Sequence, residues 1–132
     1  MPNQTGLLTS SQSMSALLDA PLVTIERFDV GHRTLLAVAG ELDIASTPEL
    51  GTAVDAALES GACDLWIDLS ATTFVDSSCL HVLIETDRRA SELHRRFAIV
   101  CPPGTVRRVF DVAGVAAALP LYDDLGSAHR DL

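Results

Sequence analysis

Between Asp68 and Leu83 the chain reads Asp-Leu-Ser-Ala-Thr-Thr-Phe-Val-Asp-Ser-Ser-Cys-Leu-His-Val-Leu. Five chemically capable side chains, Asp76, Ser77, Ser78, Cys79 and His81, stand almost adjacent here. Leu80, Leu83 and Ile84 recur at helical spacing, so a helix begins near Ser77. Asp76, Ser77 and Ser78 are each good N-caps. Free backbone N–H groups and the macrodipole at such a start favour negative charge, which makes it a natural seat for a phosphate. Two other chemistries draw on the same residues. Ser77 and His81 stand four apart on the helix, as a Ser–His or Cys–His hydrolase pair would. Cys79 lies near the positive end of the dipole, which lowers a thiol pKa and suits a redox sensor. A hydrolase also needs an oriented base and an oxyanion hole, and there is no Gly-x-Ser-x-Gly elbow. Cys79, His81 and His94 lack metal-ligand spacing. The plainest role for Ser77 is a helix cap worth about 1 kcal/mol.

The elements that must position these groups follow from periodicity. Leu22 to Asp29 reads as a first strand, with Val23 and Ile25 on one face and a parity slip at Phe28 that marks a bulge or the strand's end. Gly31 and His32 turn the chain into a second strand, Arg33 to Ala39, apolar enough for burial on both faces. Gly40 to Thr47 leaves it as a loop. A helix follows, begun by Thr47 with Pro48 at its first position or by a Ser46–Glu49 capping box. Leu50, Val54, Ala57 and Leu58 form its apolar face and Gly61 ends it.

Cys63 to Leu69 is the third strand, with Leu65, Ile67 and Leu69 alternating with Asp64, Trp66 and Asp68. The helix from Ser77 runs to about His94, with Asp87, Arg88 and Arg89 on its wet side and Arg95 and Arg96 favouring its C-terminus. Phe97 to Cys101 is a fourth strand, parallel to the third across this helix. Pro102 to Thr105 turns into a third helix whose face is Val106, Val109, Phe110 and Ala113, stopped by Gly114. Ala118 to Tyr122 is a short last strand limited by Pro120. Asp123 or Asp124 then caps a closing helix with Leu125 and Ala128 inward. The sum is an α/β domain over residues 22–132: a mixed sheet of four or five strands, with about four helices packed mainly on one side. Residues 1–21, rich in Ser, Thr and Gln, read as a flexible tail.

Composition narrows the functional classes. The chain has 132 residues, 48% of them hydrophobic, which suits one globular domain. Eighteen acidic residues against nine bases, all arginine, give a net charge of −9. Such a surface disfavours direct binding to nucleic acid or anionic membrane and suits protein partners. Cys63, Cys79 and Cys101 form neither a disulfide framework nor a zinc pattern. The N-terminus has no basic region followed by an apolar one, and no apolar run approaches membrane-spanning length, so a cytoplasmic protein is expected. No Gly-x-Gly-x-x-Gly or Walker loop is present, so the expectation is no bound nucleotide and no other cofactor.

Asp68-Leu-Ser-x-x-x-Phe-Val-Asp76-Ser77-Ser78 followed by Leu80, with Gly40-Glu41-Leu42-Asp43 upstream at a strand end, resembles the STAS-domain anti-sigma factor antagonists of bacteria. The resemblance covers roughly Leu22 to Leu132 and implies a non-enzymatic binding module. It implies that Ser77 is a phosphoacceptor and that Glu41, Asp43, Asp76, Ser78, Cys79 and His81 support a partner surface. The implied partner is an anti-sigma factor, a serine/threonine kinase related to histidine-kinase ATPases. The antagonist binds it to free a sigma factor, phosphorylation releases the antagonist, and a serine phosphatase restores it. Family members usually carry Gly-Leu-Gly where this chain has Cys79-Leu80-His81. The added bulk either narrows partner choice or impairs phosphorylation, leaving a permanent antagonist. The other non-enzymatic expectation is a scaffold or sensor STAS module in a larger signalling complex.

Overall fold

The computed structural model describes residues 22–131. The expected tail at 1–21 lies outside them. Strand β1 (Val23–Val30) pairs antiparallel with β2 (Arg33–Leu42) through the turn at Gly31 and His32. Helix α1 (Thr47–Glu59) leads to β3 (Asp64–Val75), and α2 (Ser77–Glu92) leads to β4 (Arg96–Val100). Helix α3 (Thr105–Ala113), β5 (Leu121–Tyr122) and α4 (Leu125–Asp131) complete the domain. The sheet has five strands in the order β1-β2-β3-β4-β5, and β2 to β5 pair in parallel. This is the expected α/β architecture.

The main core lies between the sheet and three helices. Leu36, Val38, Leu65, Ile67 and Ile99 from the strands meet Leu50 and Val54 of α1, Leu83 of α2 and Phe110 of α3. The fourth helix lies on the other face, where Ala128 packs with Trp66, Ala98 and Val100. Trp66 is thereby buried although it shares its strand parity with two aspartates. Asp64 is buried too, with Oδ1 accepting from Arg96 Nε at 2.8 Å and Oδ2 lying 3.5 Å from an Arg33 guanidinium nitrogen.

Several expectations change. Strand β1 pairs regularly through Val30, so Phe28 marks neither a bulge nor an end; it points to the opposite face and is exposed. The second strand alternates between buried and half-buried residues instead of being buried on both faces, because α4 covers only part of the far side. The third strand runs six residues past Leu69, to Val75. Two register irregularities against β2, near Ala71 and Thr73, place extra residues in β3. Burial therefore passes from Leu69 to Thr72 to Val75, a spacing of three that hides the strand period of two.

The helix ends shift as well. Ser46 is the N-cap of α1 but makes no capping hydrogen bond and forms no box with Glu49; its hydroxyl donates to the Glu41 carbonyl at 2.6 Å. Thr47 is the first helical residue. Helix α2 stops at Glu92, and His94 takes the left-handed conformation beyond it (φ 58°). Arg95 instead donates to the Leu58 carbonyl at the end of α1, and Arg96 pairs with Asp64. Ile84, Leu125 and Ala113 are exposed and not turned inward.

Candidate functional site

The two sequence motifs meet at the C-terminal ends of β2 and β3, where Leu42 registers with Val75. Gly40 makes this approach possible. Its φ of +107° is a glycine conformation, and a Cβ there would stand 2.1 Å from the Leu22 carbonyl oxygen. That same oxygen accepts from Glu41 N–H at 2.7 Å. Asp43 orders the loop that follows: its Oδ1 accepts from the N–H groups of Ala45 and Ser46, both at 2.9 Å. Asp76 N–H donates to the Leu42 carbonyl at 3.1 Å, which ties the start of α2 to this loop.

Asp76 is the N-cap of α2, with extended backbone (φ −121°, ψ −174°). Its Oδ1 accepts from the Ser78 N–H at 2.9 Å and from the Ser78 hydroxyl at 2.5 Å. These bonds, with backbone donors at Cys79 and Ile44, hold the carboxyl below its ordinary value, the Ser78 hydroxyl contributing most. Ser78 Oγ also lies 3.0 Å from Thr47 Oγ1. Since the single Ser78 proton goes to the carboxylate, the Thr47 hydroxyl is the donor in that pair. The starts of α1 and α2 are thus joined through side chains.

Ser77, one residue earlier, stands apart from this network. It is exposed at the first position of α2, and its hydroxyl makes no hydrogen bond among the described residues. It opens on a groove of about 440 Å³ shared with Leu80 of α2 and Thr105, Arg108, Val109 and Val112 of α3. Sequence reasoning placed no functional residue on α3. The signal available there was a second arginine, Arg108, directly after Arg107 near the start of the helix.

The hydrolase and redox arrangements are not assembled. Ser77 faces the α3 groove, whereas His81 lines a depression between α2 and α1 with Gly51, Asp55, Glu85 and Arg89. Cys79 has no exposed surface, and burial, with a smaller contribution from the Asp76 charge, pushes its thiol up to about 12. This corrects the expectation of a lowered thiol pKa: desolvation outweighs the helix dipole. It also shows where the bulk at the family's first glycine position goes. The Cys79 side chain turns into the core beside Leu80 and Leu83, so it adds nothing to an outer partner surface. His81, Glu41 and Ser77 are exposed, and Asp43, Asp76 and Ser78 are half-buried.

Residues 28–122 match the family model described as "Mlab, STAS domain". The chain is 29% identical over 106 residues to an anti-sigma F factor antagonist of Paenibacillus polymyxa, covering 76% of this chain and 89% of that one. It is 24% identical over 78 residues to an anti-sigma-B factor antagonist of Staphylococcus aureus, covering 59% and 72% respectively. Its fold superposes on the crystal structure of an anti-sigma factor antagonist from Mycobacterium paratuberculosis with a TM-score of 0.78 and 28% identity, over 85% of this chain and 95% of that one. The chain belongs to the STAS-domain family that includes the anti-sigma factor antagonists.

Proposed function

We propose that this protein is an anti-sigma factor antagonist, a binding module and not an enzyme, switched by phosphorylation of Ser77. Its partner is an anti-sigma factor with serine kinase activity, and a serine phosphatase reverses the modification. The observation that carries the reading is the asymmetry of the paired serines. Ser78 is held by Asp76 and Thr47, while the Ser77 hydroxyl is exposed and unengaged among the described residues.

In the transfer step Ser77 Oγ bonds to the γ-phosphorus of ATP bound by the kinase. The bond from that phosphorus to the β–γ bridging oxygen breaks, ADP leaves, and the hydroxyl proton passes to solvent or a base on the kinase. The modified residue gains nearly two negative charges beside the Asp76 carboxylate. In a closed interface these charges are desolvated and repel neighbouring acids. A coupling of about 3 kcal/mol weakens binding more than a hundredfold. Glu41, Asp43, Asp76, Ser78 and His81 surround or support the contact, with exposed Ile44 and Val112 as apolar contributors.

The test is site-mapped mass spectrometry after incubation with candidate anti-sigma kinases and ATP–Mg²⁺. One phosphate on Ser77, absent in Ser77→Ala, is expected, together with weakened binding of Ser77→Asp to the same kinase. Modification at another residue, or undiminished binding of Ser77→Asp, would overturn the switch.

A further inference from the structure

Arg108 is the distinctive cation of this domain. Eight of the nine arginines are engaged through their guanidinium groups. Arg27 binds Asp29, Arg88 binds Glu85 and Glu92, and Arg89 binds Asp55. Arg33 and Arg96 share Asp64, Arg95 binds the Leu58 carbonyl, Arg107 binds Asp123, and Arg130 binds Ser127. The Arg108 guanidinium alone makes no hydrogen bond, ion pair or ring contact among the described residues, its backbone N–H donating to the Gly104 carbonyl within the helix, although the protein carries twice as many acids as bases. It lines the same groove as the free Ser77 hydroxyl, and it is the only charged residue lining it among those described.

From this juxtaposition we infer that Arg108 is the intramolecular reader of the Ser77 phosphate. The inference rests on the phosphorylation reading above. A phosphate on Ser77 meets the α2 N-terminus on one side and the guanidinium on the other, and Arg presents a planar fork suited to phosphate oxygens. Pairing draws the Arg108 side chain over the groove, whose remaining walls include Leu80, Val109 and Val112. The modification therefore covers an apolar surface as well as adding charge. In the unmodified state Arg108 stays free to meet an acidic group on the partner.

The experiment installs phosphoserine at position 77 during synthesis, independently of any kinase, and follows it by phosphorus NMR titration in the full chain. The other charged groups beside Ser77 in the chain and on α3 are Asp76, bound to Ser78, Arg107, bound to Asp123, and exposed Asp111, and neither Arg107 nor Asp111 lines the groove. None of these changes in Arg108→Gln. The second phosphate ionisation of the parent is expected roughly half a unit or more below that of Arg108→Gln, with Arg108→Lys in between. The difference should shrink in high salt. Superimposable titrations of parent and Arg108→Gln would overturn the inference. Failure of the phosphorylation reading appears separately, as absence of transfer to Ser77 in the kinase experiment.

Discussion

Asp76 Oδ1 binds both the backbone N–H and the hydroxyl of Ser78, at 2.9 and 2.5 Å. One carboxylate oxygen thereby caps the helix, immobilises one serine and leaves its neighbour Ser77 free. The choice between two adjacent hydroxyls is made by cap geometry, because the N-cap side chain reaches the second or third residue of the helix and not the first.

Stability should separate the serines. Ser78→Ala removes hydrogen bonds to Asp76 and Thr47 and is expected to cost about 1 kcal/mol. Ser77→Ala should stay within about 0.5 kcal/mol of the parent. Urea denaturation of both variants checks this, and equal losses would contradict the assigned network.

Asp76 also sets an acid limb. Its carboxyl lies below its ordinary 3.8, chiefly through the Ser78 hydroxyl. Folded pKa below unfolded pKa means that the stabilisation is complete above the unfolded value and is lost as pH falls through the folded one. Asp76→Asn keeps an N-cap oxygen, so it should change little at pH 7 and show a flatter loss of stability below about pH 4. Chemical denaturation as a function of pH measures the slope; an unchanged acid limb would refute the assignment.

The cysteines should react very unequally. Cys63 is exposed, whereas burial pushes Cys79 up to about 12 and Cys101 to about 11. Iodoacetamide at pH 8 is expected to add one group to the native protein, on Cys63, and three after denaturation. Rapid native labelling of Cys79 would restore the redox-sensor reading.

Gly40→Ala tests the junction that brings the motifs together. The new methyl would press on the Leu22 carbonyl at a backbone angle that alanine rarely adopts. A loss of about 2–4 kcal/mol is expected, read as a lowered Tm. A neutral effect would mean that the strand edge at Leu22 moves freely.

Much of this arrangement was legible in one dimension, because it follows from local chemistry. The helix period in Leu50–Leu58 and the strand period in Leu65–Leu69, the capping residues before α2, and Gly61 and Gly114 after their helices each act on their own neighbours. The same holds for the phosphate-compatible helix start, and the pair of motifs carried the family resemblance. What the chain order left open depends on contacts between distant segments. Whether Trp66 faces solvent is decided by α4 arriving some sixty residues later to cover it. The length of β3 is decided by its pairing with β2, since bulges erase the alternating pattern. The fate of the Cys79 thiol turns on desolvation in a core shared by three helices, a magnitude larger than the local dipole that its sequence position advertises. Arg108 is an ordinary surface residue in sequence. Only the packing of α3 beside α2 sets it in the groove that Ser77 opens on.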